Sequence, residues 1–128
     1  NNSRIRVSNK KKIEDALIVT GGPKGVSRIK NKIFSEYINV SNNVSSVRKF
    51  GSAALDVAYV ACGRFDGYWQ RELNYWDIAA GIIIVKEAGG FFDQFENDKN
   101  FPIKKNILAS NSLIHNELKD LILKKDIE

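Results

Sequence analysis

Methionine is missing altogether from these 128 residues, and there are only one cysteine, one histidine and two prolines. A lone cysteine excludes an internal disulfide, and Cys62, set in an apolar run, reads as a small buried hydrophobe that suits a reducing compartment. One cysteine and one histidine cannot supply a zinc cluster of the usual spacing. His115 has no serine beside it in a nucleophile-elbow pattern and reads as part of the polar side of the last helix, which argues against a Ser-His-Asp hydrolase. No stretch approaches about 18 uninterrupted apolar residues, so no membrane-spanning helix is expected. The start, Asn1-Asn2-Ser3-Arg4, lacks the apolar core of a signal peptide. The expectation is a soluble, cytoplasmic chain. With no methionine and with asparagine first, it reads as a piece of a longer one.

What the chain does contain is enough for a core. Hydrophobic residues make up 43% of the sequence, which fits a single domain or half-domain over residues 1–128. The net charge of +5 is unevenly spread: residues 1–49 hold eleven Lys/Arg against three Asp/Glu, and residues 50–128 hold nine against twelve. A basic front can attract nucleic acid or an acidic partner, and it can equally be a solvated helix face and loop. Its cations are not interleaved with aromatics as a single-strand stacking platform requires.

Along the chain, short apolar runs alternate with longer periodic segments. Ile5-Arg6-Val7-Ser8 alternates like a half-buried strand, and Ala16–Thr20 is a compact apolar run stopped by Gly21-Gly22-Pro23. That glycine loop lacks the phosphate-loop spacing and reads as a turn. Between Gly25 and Ile38, apolar residues recur at three- and four-residue intervals, which predicts an amphipathic helix. Val44–Arg48 is a candidate strand, and Ser52–Ala61 a buried helix capped by Ser52. Asp66–Gln70 suits a strand. The β-branched run Ile82-Ile83-Ile84-Val85 would suit a strand too, but segment length, Asp77 as a cap and Gly89 as a stop make Ile78–Ala88 a helix. Strands are predicted at Gly90–Asp93 and Asn106–Ser110, and a helix from Ser112 to the Lys124-Lys125 pair. Strand and helix alternate about four times, the pattern of a layered α/β half-domain with parallel strand pairs.

Few residues are placed for chemistry. Gly51-Ser52-Ala53 and Asp77 each open an apolar helix, where unpaired N–H groups and the helix dipole favour an anion. Asp77 is by spacing an N-cap, or else a hard oxygen ligand for magnesium, whose shell is completed by water and substrate phosphate. Asp56, Asp66 and Gln70 read as structural or solvated groups, and Trp69 and Trp76 as packing residues.

Two motifs then resemble a known family. Trp76-Asp77-Ile78-Ala79-Ala80-Gly81, followed by Glu87-Ala88-Gly89-Gly90, is similar to the C-terminal motif of the inositol monophosphatase family. Gly51-Ser52-Ala53-Ala54-Leu55-Asp56, with Ala61 and Gly63-Arg64, resembles the preceding segment in bacterial members of the SuhB (extragenic suppressor) type. The resemblance covers essentially the whole chain and implies the C-terminal half of that family's αβαβα sandwich. It implies a Mg2+-dependent phosphatase acting on inositol monophosphate or a related small phosphate monoester, with metal-activated water as nucleophile. Asp77 then corresponds to a metal ligand close to the substrate, and Gly51, Ser52 and Ala53 to substrate contacts. Gln70 falls where many members carry a glutamate that meets an inositol hydroxyl. The family's upstream Glu-Glu pair and Asp-Pro-x-Asp-Gly-Thr segment do not occur here. The resemblance therefore implies that this chain alone binds magnesium poorly and does not turn over. A homodimer is implied for the full-length protein, and an RNA polymerase or RNA partner for a SuhB-type member.

Overall fold

The computed structural model of the chain describes residues 5–22, 29–97, 99–100 and 103–124. The start of the helix expected from Gly25, the first four residues and Lys125 lie outside them. Five strands form one sheet in the order β2-β1-β3-β5-β4: β1 is Leu17–Thr20, β2 Ser46–Arg48, β3 Gly67–Asn74, β4 Phe91–Gln94 and β5 Lys104–Ser110. Helices α1 (Lys30–Ser41), α2 (Ala53–Ala61), α3 (Ala79–Glu87) and α4 (His115–Leu123) pack on it. β1 pairs parallel with β2 and with β3, while β5 runs antiparallel to both β3 and β4. The layered α/β class holds, and the parallel pairs are confined to one half of the sheet. Parallel neighbours need a crossover: α1 supplies it between β1 and β2, and α2 then carries the chain from β2 past β1 to β3.

Strand alternation sends two sets of side chains to opposite faces. Val19, Tyr68, Ile107 and Ala109 meet α2 and α3 through Val57, Val60, Ile82 and Val85. Ile18, Trp69 and Leu108 face the other way, onto Val40 of α1 and Leu118 and Ile122 of α4. The result is three layers, helix on sheet on helix. Helices α2 and α3 touch closely, because a Cβ at Gly81 would stand 2.6 Å from Val57 Cγ1.

The turns carry their own polar pins. Asp66 accepts from Leu17 N at 2.8 Å and from Ser8 Oγ at 2.6 Å. Asn111 Oδ1 accepts from Leu113 N and Ile114 N, both at 2.9 Å, and so caps the approach to α4.

Four expectations need correction. Residues 5–8 form no strand: Val7 N bonds Ala88 O at 3.1 Å, at the end of α3, so the segment is tied to a helix end instead of a sheet edge. Cys62 is exposed, because α2 ends at Ala61 and the next residue turns outward, with Sγ 3.6 Å from Tyr59 O. His115 is buried between β4 and β5, not on a polar face. Trp69 is core, but Trp76 is 64% exposed and packs little.

Candidate functional site

Because β1, β2 and β3 point the same way, whatever follows each strand lies at one edge of the sheet. Gly21-Gly22 follows β1, Lys49 to Ser52 follows β2, and Tyr75–Asp77 follows β3. The C-terminal edge of parallel strands is where α/β proteins take ligands. Both helix starts follow strands that end at this edge, and the two helices meet near them: Val57, four residues after Ala53 opens α2, touches Gly81, two residues after Ala79 opens α3.

The start of α2 is built from three adjoining residues. Gly51 adopts φ +85°, which a side chain would strain, and space around it is open. Ser52 is the N-cap and accepts from Leu55 N at 3.4 Å. Ala53 opens the helix. The start of α3 differs from expectation. Tyr75–Asp77 forms a 3-10 turn and Ile78 occupies the N-cap position, with no side chain bonding the free N–H groups. Asp77 is therefore no cap, and its exposed carboxylate stands where the helix dipole favours negative charge.

Gln70 is 3% exposed and lies beside Gly21, since Thr20 pairs with Trp69 one step earlier. Its Oε1 accepts from the Tyr68 hydroxyl, and its Nε2 has no partner among the described residues. Asp56, 1% exposed, lies on the inner side of α2, and neither carboxylate oxygen has a partner among the described residues. Burial pushes its pKa up to about 6. Burial also raises the Tyr68 hydroxyl, and the Asp56 charge adds to the rise.

Sequence reasoning missed Lys49. A Cβ at Gly22, where φ is +66°, would stand 2.7 Å from Lys49 Nζ, so this cation reaches from the β2–α2 turn across the end of β1. Its ammonium is 5.9 Å from the Tyr37 ring and borders a cleft of about 320 Å³ lined also by Thr20, Phe34 and Trp69. The signal was the basic pair Arg48-Lys49, separated from Gly51-Ser52 only by Phe50.

No group of three or more His, Cys, Asp or Glu side chains among the described residues could hold a metal ion. Asp77 alone offers one hard oxygen, which fits one corner of a magnesium shell and not the whole.

Glycine turns, one cation and two helix starts at the C-terminal edge of parallel strands define an α/β protein suited to an anionic ligand. Residues 1–126 match the model of the inositol monophosphatase family, and the chain belongs to that family. It is 40% identical over 116 residues to the inositol-1-monophosphatase of Caulobacter vibrioides, covering 90% of this chain and 45% of that protein. It is also 40% identical over 116 residues to the Nus factor SuhB of Pseudomonas aeruginosa, covering 88% of this chain and 42% of that one. The crystal structure of the extragenic suppressor protein SuhB from Bartonella henselae superposes with a TM-score of 0.87 at 44% identity, covering 98% of this chain and 49% of that one. The chain thus spans about half the length of the relatives it matches. No helix among the described residues is long and apolar enough to cross a membrane.

Proposed function

We propose that this chain is the C-terminal half of a cytoplasmic, Mg2+-dependent phosphatase that hydrolyses inositol monophosphate or a related small phosphate monoester. The observation that carries the reading is that two helix starts follow the same edge of the parallel strands, one with Gly51, Ser52 and Ala53 and the other preceded by the exposed carboxylate of Asp77. Asp77 holds one metal position. Gly51, Ser52 and Ala53 contact substrate oxygens through backbone and hydroxyl, and Gln70 offers an amide to the alcohol part. Bound magnesium would polarise the phosphate and lower the pKa of water. The remaining ligands come from outside these residues, so the chain alone is inactive.

The outer surface of α2 and α3 supports a larger protein. Leu55 is 53% exposed and Ile83 60%, on helices that are apolar nearly all round, and such helices are ordinarily covered on both sides. In the full-length protein this face packs against the other half. The whole forms a homodimer.

The test is phosphate release by the full-length protein with magnesium, comparing wild type with Asp77→Asn on inositol monophosphate and fructose bisphosphate. Collapse in the variant supports the metal role, and the preferred ester identifies the substrate class. Absence of magnesium-dependent release by wild type, or full retention by the variant, would end the reading.

A second reading has its own support. Relatives named Nus factor SuhB and the basic first 49 residues favour an accessory role on RNA polymerase or RNA. Salt-dependent binding that survives Asp77→Asn would favour it, and no binding at low salt would count against it.

A further inference from the structure

Strand β3 contains one residue too many. Gln70 pairs with Ile107 and Leu73 with Lys105, so Arg71 and Glu72 together face the single residue Asn106. This is a β-bulge, and its second residue, Glu72, adopts φ +62°, a left-handed conformation uncommon for any residue but glycine. The extra residue reverses the alternation of the strand. Tyr68 and Gln70 face α2 and α3, and unbroken alternation would send Leu73 with Trp69 and Arg71 to the opposite face. Instead Leu73 is buried at 2% exposure among the residues beneath α2 and α3. The turn Tyr75–Asp77 begins two residues later, so the bulge sets the direction from which Asp77 leaves the sheet.

Asn106 holds this arrangement with every polar atom it has. Its Oδ1 accepts from Glu72 N at 2.9 Å. Its Nδ2 donates to Phe95 O at 3.0 Å and to Glu96 O at 2.9 Å. Its backbone oxygen accepts from Phe95 N at 3.0 Å, and its backbone N–H donates to Asn97 Oδ1 at 3.2 Å. The other bulge residue, Arg71, is anchored on the opposite face: its guanidinium bonds Glu36 at 2.6 Å and Glu96 at 2.5 Å and lies 4.9 Å from the Phe95 ring. A strained non-glycine conformation persists only where its surroundings over-determine it, and such strain gathers near functional sites.

We propose that Asn106 is a positioning residue: by clamping the bulge at Glu72 it holds Gln70 and Asp77, on either side of that bulge, in the relative orientation the site uses. The inference rests on the phosphatase reading. Asn106 touches neither substrate nor metal. Its effect passes through the backbone of residues 71 to 77.

The experiment uses the full-length protein and three variants. Asn106→Ala removes the clamp. Asn106→Ala with Glu72→Gly lets the bulge keep its φ without the clamp, because glycine accepts that conformation. Asn106→Asp keeps the acceptor for Glu72 N but sets an oxygen against Phe95 O and Glu96 O, so the glycine double variant, not this one, covers the case in which the alanine variant does not fold. Substrate KM, half-saturating Mg2+ and Mn2+ binding by electron paramagnetic resonance are measured beside the melting temperature. Asn106→Ala is expected to raise KM and both metal concentrations about tenfold, Asn106→Asp at least as much, and the glycine double variant to bring them back near wild type. Unchanged KM and metal values in variants that are only less stable would show a purely structural residue and overturn the inference while leaving the phosphatase reading intact. A wild type that neither releases phosphate nor binds Mn2+ would remove both.

Discussion

The amide of Gln70 occupies the space that a side chain at Gly21 would need. A Cβ there would stand 2.6 Å from Nε2 and closer still to the rest of the amide. Gln70 cannot simply swing away, since Tyr68 holds its Oε1 and the group is buried. Gly21→Ala should therefore destabilise the chain by about 1–3 kcal/mol through overpacking. Adding Gln70→Ala, which empties the contested space, should recover most of that loss. Urea midpoints of the two variants check it, and equal midpoints would show that the two residues are not coupled.

Asp56 predicts an unusual pH dependence. Its folded pKa, about 6, lies above the ordinary 3.8, so the folded state binds the extra proton between those values. Its contribution is most favourable below pH 4 and is lost as pH rises through about 6. Asp56→Asn should stabilise the chain by about 1–2 kcal/mol at pH 7.5 relative to its effect at pH 4, less than the full shift implies because the new amide is also buried. Denaturation at both pH values reads the difference, and a constant effect would mean that the carboxylate is satisfied when ionised.

Asp93 works in the opposite sense. His115 connects two strands: Nδ1 is 2.6 Å from Ser110 Oγ on β5, and Nε2 is 2.7 Å from Asp93 Oδ2 on β4. Burial alone would raise the Asp93 pKa, but the His115 bond and the Lys119 charge together hold it below the usual carboxylate value. A depressed folded pKa gives stability that is present above the unfolded value of 3.8 and lost as pH falls through the folded one. Asp93→Asn should flatten the acid limb of the stability curve below about pH 5. Urea midpoints from pH 3 to 6 measure this, and an acid limb as steep as wild type would exclude the pairing.

Much of the fold was legible because apolar runs and punctuation agreed. Ala16–Thr20 and Asn106–Ser110 became β1 and β5, and the Ile82–Val85 run proved helical as its length and its glycine stop indicated. His115 was hidden by its polarity: three before Leu118 and seven before Ile122, it lies on the buried stripe of α4. Cys62 was misread because the apolar run outlasts the helix by one residue. The bulge left no mark, since its left-handed position is glutamate, where a glycine would have signalled it. Asp77 and the Gly51-Ser52-Ala53 turn were found as helix starts, but Asp77 fails as a cap because a 3-10 turn delays α3. Lys49 was passed over because only the parallel order of β1 and β2 brings it across Gly22.

The Arg71–Glu36 pair supplies a test of the core beneath the bulge. Both side chains are 4% exposed, and the guanidinium holds Glu36 through Nε at 2.7 Å as well as Nη2 at 2.6 Å. Burial raises the Glu36 pKa, and Arg71 opposes that rise. Removing the arginine alone takes away the salt bridge of a buried carboxylate and leaves it the Trp69 side chain and the Lys32 charge, so Arg71→Met should cost about 3 kcal/mol near neutral pH. The variant should recover part of this loss in acid, because Glu36 then protonates and a raised folded pKa gives stability that is lost as pH rises. Arg71→Met with Glu36→Leu removes both charges and should be more stable than Arg71→Met at neutral pH, while losing its acid recovery. Denaturation of the two variants at pH 5 and pH 8 decides it. If the double variant is the less stable at pH 8, the cost comes from lost packing over Phe95 instead of from the lost salt bridge.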